Sequence, residues 1–324
     1  MGGRASPVRP LVPVLAGPTA VGKTAVALAL AERFSIAVIS ADARQVYQRL
    51  DIGTAKPDPG TRERVPHHGL DLVPPGERYS AGRFARDAAV WLTEARAAQR
   101  QPWVVGGTGF YIRALADGLF QEPPLDPVRR EGLQAWAAGM SGPTLLRWAS
   151  RLDPRFSGGG RQRASRVLEV ALLTGRPLSL WQQMARATGV MRPWYIVLTL
   201  PRELLRRRIA ERVDVMLAAG LIDEVRAELA RGTAPGAAGL DGVGYRETVA
   251  MLEGRLAKDD LREAIVRSTR AYAKRQETWF RNQLRYRSSA IGYQPEAVWT
   301  LDASRAPEDL AVEIADRWRT ATDR

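Results

Sequence analysis

The chain has 324 residues, 45% of them hydrophobic, so it is long enough for one large or two ordinary domains with a buried core. It contains no cysteine, which excludes disulfide bonds and cysteine-ligated metals and is consistent with a reducing compartment. The 48 basic residues outnumber the 35 acidic ones, which gives a net charge of +13. This excess indicates either a polyanionic partner, nucleic acid ahead of acidic membrane, or simply an arginine-rich surface.

The N-terminal residues 1–10 carry two arginines but are not followed by the apolar core of a signal peptide. No apolar run approaches the roughly 18 to 20 residues that span a bilayer. We therefore expect a cytoplasmic protein with no membrane association, and a monomer. The only histidines, His67 and His68, are adjacent and point in different directions, so a two-histidine metal site is not expected.

A complete GxxxxGKT motif lies between a short apolar run and a sequence of good helix formers. Its members are Gly17, Pro18, Thr19, Ala20, Val21, Gly22, Lys23 and Thr24. We expect the strand before it to begin after Pro13 and the helix after it to end near Phe34, which is the context this phosphate-binding motif requires. Backbone N–H groups, the Lys23 ammonium and a Thr24 hydroxyl bound to Mg²⁺ would hold a di- or triphosphate. The alternative is an ordinary glycine turn before a helix.

The rest of the chain alternates between strand and helix patterns up to residue 120. Ile36–Ser40 and residues 102–105 are short apolar runs typical of buried parallel strands, and a helix is predicted from Ser80 to Gln99. Residues 51–76 are rich in proline and glycine and are predicted to be a loop. We therefore predict an α/β fold, a P-loop NTPase-like parallel sheet flanked by helices.

Beyond residue 120 only helical patterns are recognisable until Trp194–Leu200, which again has the pattern of a strand. We predict a catalytic core formed by residues 1–120 and 194–290, an all-helical insertion at residues 121–193 and a C-terminal tail at residues 291–324. The later part of the core is predicted to be helical, with helices at Arg202–Ala219, Leu221–Ala230 and Leu261–Tyr286.

The helix predicted at Leu261–Tyr286 has two distinct faces. The apolar face consists of Ile265, Tyr272, Trp279 and Tyr286. The opposite side, here called the basic face, consists of Arg267, Arg270, Lys274, Arg281 and Arg285. A basic stripe is usually only a solvated surface, but in a basic chain with a phosphate-ester site it also favours nucleic-acid binding.

Three kinds of residue are candidates for chemistry. Asp42 follows a strand and faces the glycine loop, so it is a magnesium ligand in a kinase-like enzyme, a general base, or a helix cap. Thr108 lies on a second glycine loop and either donates to a phosphate or acceptor or is an ordinary turn residue. One helix carries five arginines, any of which could stabilise a leaving diphosphate. These are Arg202, Arg206, Arg207, Arg208 and Arg212.

Together these motifs resemble those of one family, the tRNA dimethylallyltransferases, in their bacterial form, because no zinc-finger extension is recognisable after Arg287. The resemblance extends from about residue 14 to residue 287. Besides the glycine loop it rests on Ile39–Tyr47, Asp51–Pro57, Val65–His68, Val105–Ile112, Gln162–Val170, Arg212–Val225, Gly242–Glu247 and Thr269–Arg281.

The resemblance implies transfer of a dimethylallyl group from dimethylallyl diphosphate to the exocyclic amine of the adenosine that follows the anticodon of tRNA. Asp42, Thr108 and Arg212 would be the catalytic residues, the glycine loop would hold the diphosphate, and Mg²⁺ would bind at Thr24. The implied contacts with the anticodon stem-loop are Asp42, Ala43, Arg44, Gln45, Thr108, Arg129, Gln162, Arg163, Ala164, Ser165, Arg166, Tyr245, Arg246, Arg270, Lys274 and Arg281.

Two positions depart from the family pattern. Ala43 stands where the family usually has serine, and Gly159–Gly160 stands where an Asn-Asp pair is common, which puts the RNA contacts of the insertion in doubt. The rival interpretations are a P-loop small-molecule or nucleoside kinase that uses ATP and an ATP-dependent RNA-binding protein. Both would require a second strand that ends in a magnesium-binding Asp, and the absence of such a strand from the sequence counts against them.

Overall fold

The computed structural model describes residues 9–119, 123–184, 188–290 and 298–322, without the side chains of residues 284–290. The strands are β1 (Leu11–Ala16), β2 (Ile36–Ser40), β3 (His67–His68), β4 (Gln101–Gly106), β5 (Arg192–Thr199) and β6 (Val298–Asp302). The helices are α1 (Lys23–Ala31), α2 (Pro59–Arg64), α3 (Ala81–Ala97), α4 (Gly109–Asp117), α5 (Pro127–Ala138), α6 (Gly142–Leu152), α7 (Arg161–Thr174), α8 (Leu178–Met184), α9 (Arg202–Ala218), α10 (Leu221–Ala230), α11 (Tyr245–Leu252), α12 (Leu261–Ala290) and α13 (Pro307–Thr322).

The described strands form one parallel sheet in the order β3-β2-β4-β1-β5-β6. The predicted α/β class with a P-loop type of sheet is therefore confirmed. Parallel strands need both faces covered, which explains why β1, β2 and β4 consist almost entirely of buried residues. The loops after β1, β2 and β4 and the start of α9 after β5 all lie at one edge of the sheet, where ligands of α/β proteins bind.

Two compact units divide the chain. The sheet unit contains Met1–Ala116 and Val190–Arg324, and the helical unit contains Asp117–Gly189. In the helical unit the described residues form helices α5 to α8 around a small core that includes Leu145, Val167 and Leu168. This unit occupies nearly the range in which the sequence predicts an all-helical insertion.

The C-terminal segment is not the tail that the sequence predicts. Strand β6 extends the sheet beside β5, and α13 packs on the sheet. The Trp318 ring of α13 lies 6.2 Å from the Trp103 ring and 5.2 Å from the Trp194 ring, measured between centroids. The prediction failed because this helix has no sequence motif, and the surface that buries its apolar face is formed by α1 and by strands, all far away in the chain.

Strand β1 begins at Leu11 and includes Pro13, whereas the sequence analysis expected it to begin after that proline. Pairing with β4 starts only at Val14, so a residue without an N–H group is tolerated on that side of the ladder. The predicted loop at residues 51–76 contains α2 and the two-residue strand β3, both too short to leave a periodic pattern. Helix α12 is longer than predicted, and the side chains of Arg285 and Tyr286 lie outside the described residues.

Candidate active site

The glycine loop connects β1 to α1 and opens into a pocket of about 490 Å³. Gly22 has φ of 105° and contributes no capping side chain, so the first N–H groups of α1 are left for a ligand. Thr24 is exposed in this pocket, together with Lys23, Asp42 and Arg212. The loop therefore presents donors and cations to one concave surface, as an anion site requires.

Lys23 is held by the loop itself. Its Nζ donates to the carbonyl oxygens of Gly17 at 3.0 Å and Pro18 at 2.7 Å. Burial lowers the pKa of Lys23 to about 8; the Asp42 carboxylate opposes this shift, and the Arg212 guanidinium adds to it. A lysine with this pKa is partly neutral in the free protein near pH 8 and gains a proton when an anion binds.

Asp42 lies at the end of β2 beside these cations. Its charge acts on Lys23, Arg212 and the hydroxyl of Tyr272. One carboxylate oxygen accepts a hydrogen bond from the Arg44 N–H at 2.9 Å. Residues 43–46 form turns, so Asp42 does not cap a helix, and that alternative from the sequence is wrong. The carboxylate therefore faces the pocket and can accept a proton there.

Thr108 joins the loop after β4 to the segment after β2. Its hydroxyl oxygen accepts from the Ala43 N–H at 3.0 Å, and its own N–H donates to the Ala41 carbonyl at 3.0 Å. The Tyr272 hydroxyl lies beside the same hydroxyl, and burial, with a further contribution from Asp42, raises the pKa of Tyr272 to about 12. Thr108 is thus an integral link of the site and not an isolated turn residue.

The five arginines of α9 have different environments, which the sequence could not distinguish. Arg212 lines the pocket, where burial lowers its pKa and the Asp42 charge raises it. Arg208 also lines it and donates to the Val21 carbonyl at 3.4 Å. Arg206 pairs with Glu203 on the surface, and Arg207 is exposed. Arg212 is therefore the arginine best placed to act on a bound diphosphate.

Two predicted RNA contacts after Asp42 serve bonds within the chain. Arg44 pairs with Asp241 and donates to the Ala238 carbonyl at 2.9 Å. Gln45 accepts from the Ser40 hydroxyl at 2.7 Å and donates to the carbonyls of Thr54 and Ala55. Both side chains remain partly exposed, and they fix the shape of the pocket rim.

Acidic residues of α10 hold the loop of residues 49–53, a role that no sequence signal indicated. Glu224 accepts from the N–H groups of Asp51 and Ile52 and from the Tyr245 hydroxyl at 2.7 Å. Tyr245 is only 1% exposed and its ring packs against Gly53. Its predicted RNA contact is therefore wrong for the side chain, which is buried. The neighbouring Arg246 is half exposed and pairs with Glu247.

The predicted contacts of the helical unit lie at the start of α7 and on α5. Gln162 and Arg163 are exposed, Arg163 lies over the Phe156 ring, and Ser165 is partly exposed. Ala164 is fully buried in the core of this unit, so its predicted RNA contact is wrong for the side chain. Arg166 pairs with Glu169 at 2.6 Å, and Arg129 is exposed near the start of α5.

The basic face of α12 is exposed as far as its side chains are described. Arg270, Lys274 and Arg281 border a second cavity of about 880 Å³ whose floor includes Leu205, Ile209 and Phe280. On the other side of α12, Ile265 is buried, and Tyr272 and Trp279 are partly buried. The two faces predicted from the sequence are therefore present over this part of the helix.

Two residues that line the pocket are not among the predicted site residues. His67, at the start of β3, lines the pocket, and burial lowers its pKa. Gln276 of α12 also lines it and is 6% exposed, yet only its place in a family motif had singled it out. Tertiary contacts alone bring these two residues to the glycine loop. Among the described residues no group of three or more His, Cys, Asp or Glu could hold a metal ion.

This sheet and its glycine loop define a protein of the P-loop α/β class. The chain belongs to the IPP transferase family, whose model matches residues 45–283. A second model, described as isopentenyl transferase, matches residues 10–65. No helix in the described part of the chain has the length and apolar character needed to cross a membrane.

Curated relatives and solved structures agree with this assignment. The tRNA dimethylallyltransferase of Bordetella petrii is 44% identical over 278 residues, covering 83% of this chain and 88% of that protein. The Geobacillus kaustophilus enzyme of the same name is 43% identical, covering 84% and 88%. The full-length tRNA isopentenylpyrophosphate transferase of Bacillus halodurans is 31% identical with a TM-score of 0.67, covering 97% and 98%. A eukaryotic dimethylallyltransferase acting on tRNA, at 23% identity, a TM-score of 0.77 and coverage of 96% and 80%, supports the fold.

Proposed function

We propose that this protein transfers a dimethylallyl group from dimethylallyl diphosphate to the exocyclic amine of the adenosine 3′ to the anticodon in tRNA. The amine nitrogen forms a bond to the allylic carbon, the carbon–oxygen bond to the diphosphate breaks, and the amine loses a proton. Family membership and relatives named tRNA dimethylallyltransferase favour this reaction over the kinase alternative. A tRNA substrate makes the cytoplasm the proposed location.

The donor diphosphate would lie in the glycine loop, facing the N–H groups at the start of α1. Lys23 would release the carbonyls that it now contacts and, once protonated, pair with the diphosphate. Mg²⁺ suits this site, because it binds through substrate phosphates and few protein oxygens, and the exposed Thr24 hydroxyl supplies one. When bound, the ion would neutralise charge on the diphosphate.

Asp42 would be the general base that takes the amine proton, a contribution of about 10²- to 10⁴-fold in rate. The adenosine must leave the stacked loop to reach it, and unstacking costs only a few kcal/mol. Thr108 would orient the acceptor, because its hydroxyl is fixed between the Ala43 N–H and Tyr272.

Arg212 would stabilise the departing diphosphate. It is a partly buried cation beside both Asp42 and Lys23, so water screens its field less than that of an exposed arginine. A donor aimed at charge that grows in the transition state typically contributes about 3 kcal/mol. The alternatives on the same helix are exposed, paired with Glu203, or directed at the Val21 carbonyl.

The RNA backbone would contact exposed cations, which are Arg270, Lys274 and Arg281 on α12 and Arg163 on α7, and the exposed Gln162 amide beside them. Such contacts supply affinity through counterion release and carry little sequence information. The net charge of +13 fits this kind of partner. Arg129 and Arg246 stay in the proposed contact set as exposed residues. The partly exposed members of this set are Arg44, Gln45, Ser165 and Arg166.

The observation that carries this proposal is the convergence of Lys23, Asp42 and Arg212 on one pocket beside the glycine loop. The test is transfer of labelled dimethylallyl from its diphosphate to an anticodon stem-loop with adenosines 3′ of the anticodon, with ATP hydrolysis measured in parallel. Label in the RNA is the expected result. ATP consumption without label would favour the kinase interpretation instead.

A further inference from the structure

Helix α12 contacts three consecutive residues of the loop after β4. The Tyr272 side chain lies beside Thr108. A Cβ atom added at Gly107 would lie 2.1 Å from Nε2 of Gln276, and one added at Gly109 would lie 2.1 Å from the Trp279 ring. Positions 272, 276 and 279 share one face of a helix, so a single surface of α12 shapes this loop.

Within that surface, Gln276 connects two loops of the active site. Its Oε1 accepts from the Thr19 N–H at 2.9 Å, and its Nε2 donates to the Gly107 carbonyl at 2.9 Å. Thr19 belongs to the glycine loop after β1, while Gly107 directly precedes Thr108 in the loop after β4. One buried amide therefore connects the loop that we propose holds the dimethylallyl diphosphate with the loop that we propose positions the adenosine.

The chemistry of the two bonds requires an amide. The acceptor oxygen satisfies a backbone donor and the NH₂ group satisfies a backbone acceptor, which a carboxylate cannot do because it has no donor. An apolar side chain would leave both backbone groups without this partner in a buried place. The contact also leaves no room for a side chain at Gly107, so the two residues fit each other.

We propose that Gln276 is a positioning residue that fixes the spacing between the diphosphate loop and the acceptor loop. This inference rests on the proposed function, because spacing matters only if the two loops hold two substrates that react with each other. Gln276 acts through the hydrogen bonds of its side chain to the backbone of Thr19 and Gly107. These bonds set the positions at which the allylic carbon and the amine meet. A misplacement of about 1 Å costs such a reaction on the order of 10²-fold.

The test uses Gln276→Leu, which removes both hydrogen bonds. The single-turnover rate is measured with saturating dimethylallyl diphosphate and anticodon stem-loop, and the equilibrium affinity for each is measured separately. We expect the rate to fall by about tenfold to 10²-fold, with each affinity changed less than about threefold, since a spacing error affects reaction more than binding.

The matched control is Thr269→Val on the same helix. The Thr269 hydroxyl is buried and bonds only within α12, to the Ile265 carbonyl at 2.8 Å. This variant should lose stability while its single-turnover rate stays within about twofold of the wild type, because its hydroxyl contacts neither loop. Equal rates for the two variants, or a rate loss in Gln276→Leu that follows its affinity loss, would overturn the proposal.

A second variant, Gln276→Glu, separates positioning from general damage to the fold. Its carboxylate can accept from Thr19 but repels the Gly107 carbonyl, whereas the protonated acid can serve both and so restores the amide's pattern. Its rate relative to the wild type should therefore rise as the pH falls from about 8 to about 5.5, since burial raises the pKa of a carboxyl.

A ratio independent of pH in this variant would contradict the proposal. These experiments also distinguish a failure of the proposed function from a failure of the positioning role. A wild-type protein that transfers no label refutes the proposed function and with it the role of Gln276. A wild type that transfers label while Gln276→Leu behaves like Thr269→Val refutes the positioning role alone.

Discussion

The pocket of the sheet unit and the surface of the helical unit both carry arginines, but they use them differently. Arg212 and Lys23 are partly buried beside Asp42, and burial lowers the pKa of each cation. In the helical unit Arg163 and Gln162 are exposed. A buried, fixed charge exerts a strong field on a reacting bond, whereas an exposed one is screened and attracts RNA weakly. The residues that we propose for chemistry therefore differ in burial from those that we propose for attachment to RNA.

The largest effect is expected from Asp42→Asn, which keeps the side-chain oxygen that accepts from Arg44 but removes the base. Transfer should fall about 10²- to 10⁴-fold, while the affinity for the anticodon stem-loop changes less than about threefold. Single-turnover transfer and fluorescence anisotropy measure the two quantities. Equal losses of rate and affinity would assign Asp42 to attachment and not to chemistry.

Arg212→Ala should reduce single-turnover transfer by about 10²- to 10³-fold, because a partly buried cation that we propose lies beside the leaving diphosphate is lost. The matched control is Arg207→Ala, an exposed arginine of the same helix, which should stay within about twofold. If both variants lose the same activity, the net charge of α9 matters and the position of Arg212 does not.

The next effect concerns pH. Because the pKa of Lys23 is about 8 in the free protein, most of this lysine is neutral above that pH. Binding of the diphosphate favours the charged form and must take up a proton there, so the affinity should fall as the pH rises, by up to about tenfold per unit. Titration calorimetry with dimethylallyl diphosphate from pH 7 to 10 measures this slope.

Lys23→Met is the control for that titration. It should bind the diphosphate weakly at all pH values and lose the added slope, because the titrating group is gone. A wild-type slope that persists in Lys23→Met would attribute the pH dependence to another group and would contradict the assignment of the shifted pKa to a role in binding.

The smallest effect is expected in the helical unit. Arg163→Ala should weaken stem-loop binding about threefold to tenfold. The slope of log K against log salt concentration should become shallower by about one, because one phosphate contact is lost, and the rate at saturating substrates should not change. Binding isotherms at several salt concentrations provide the test. A loss in the saturated rate would show that this unit takes part in the chemical step and would remove the contrast with the pocket.

The local motifs could be identified from sequence because each depends on short-range geometry. The glycine loop is contiguous, and its order of glycines, lysine and threonine describes a structure that forms within eight residues. Buried parallel strands such as β2 appear as unbroken apolar runs, so their positions were predicted to within a few residues. The family resemblance, now confirmed, rests on several such motifs in order.

Longer-range features could not be obtained in this way. Nothing in the spacing of the five α9 arginines distinguishes Arg212 from Arg207, because burial depends on which elements pack against each side of the helix. The buried places of Tyr245 and Ala164 were missed for the same reason. Strand β6 and α13 lack motifs, and they are stabilised by pairing and packing against elements far away in the chain.

The sequence alone identifies the glycine loop, the α/β alternation, the helical insertion and the family, since these follow from local backbone requirements and from ordered motifs. Only the tertiary structure decided which groups share the pocket. Asp42, Arg212 and Gln276 come together from three elements because β2, β4, β1 and β5 are neighbours in the sheet and α12 packs across their loops. Burial then determines their chemistry, since removing water from a charged group changes its pKa and strengthens its field.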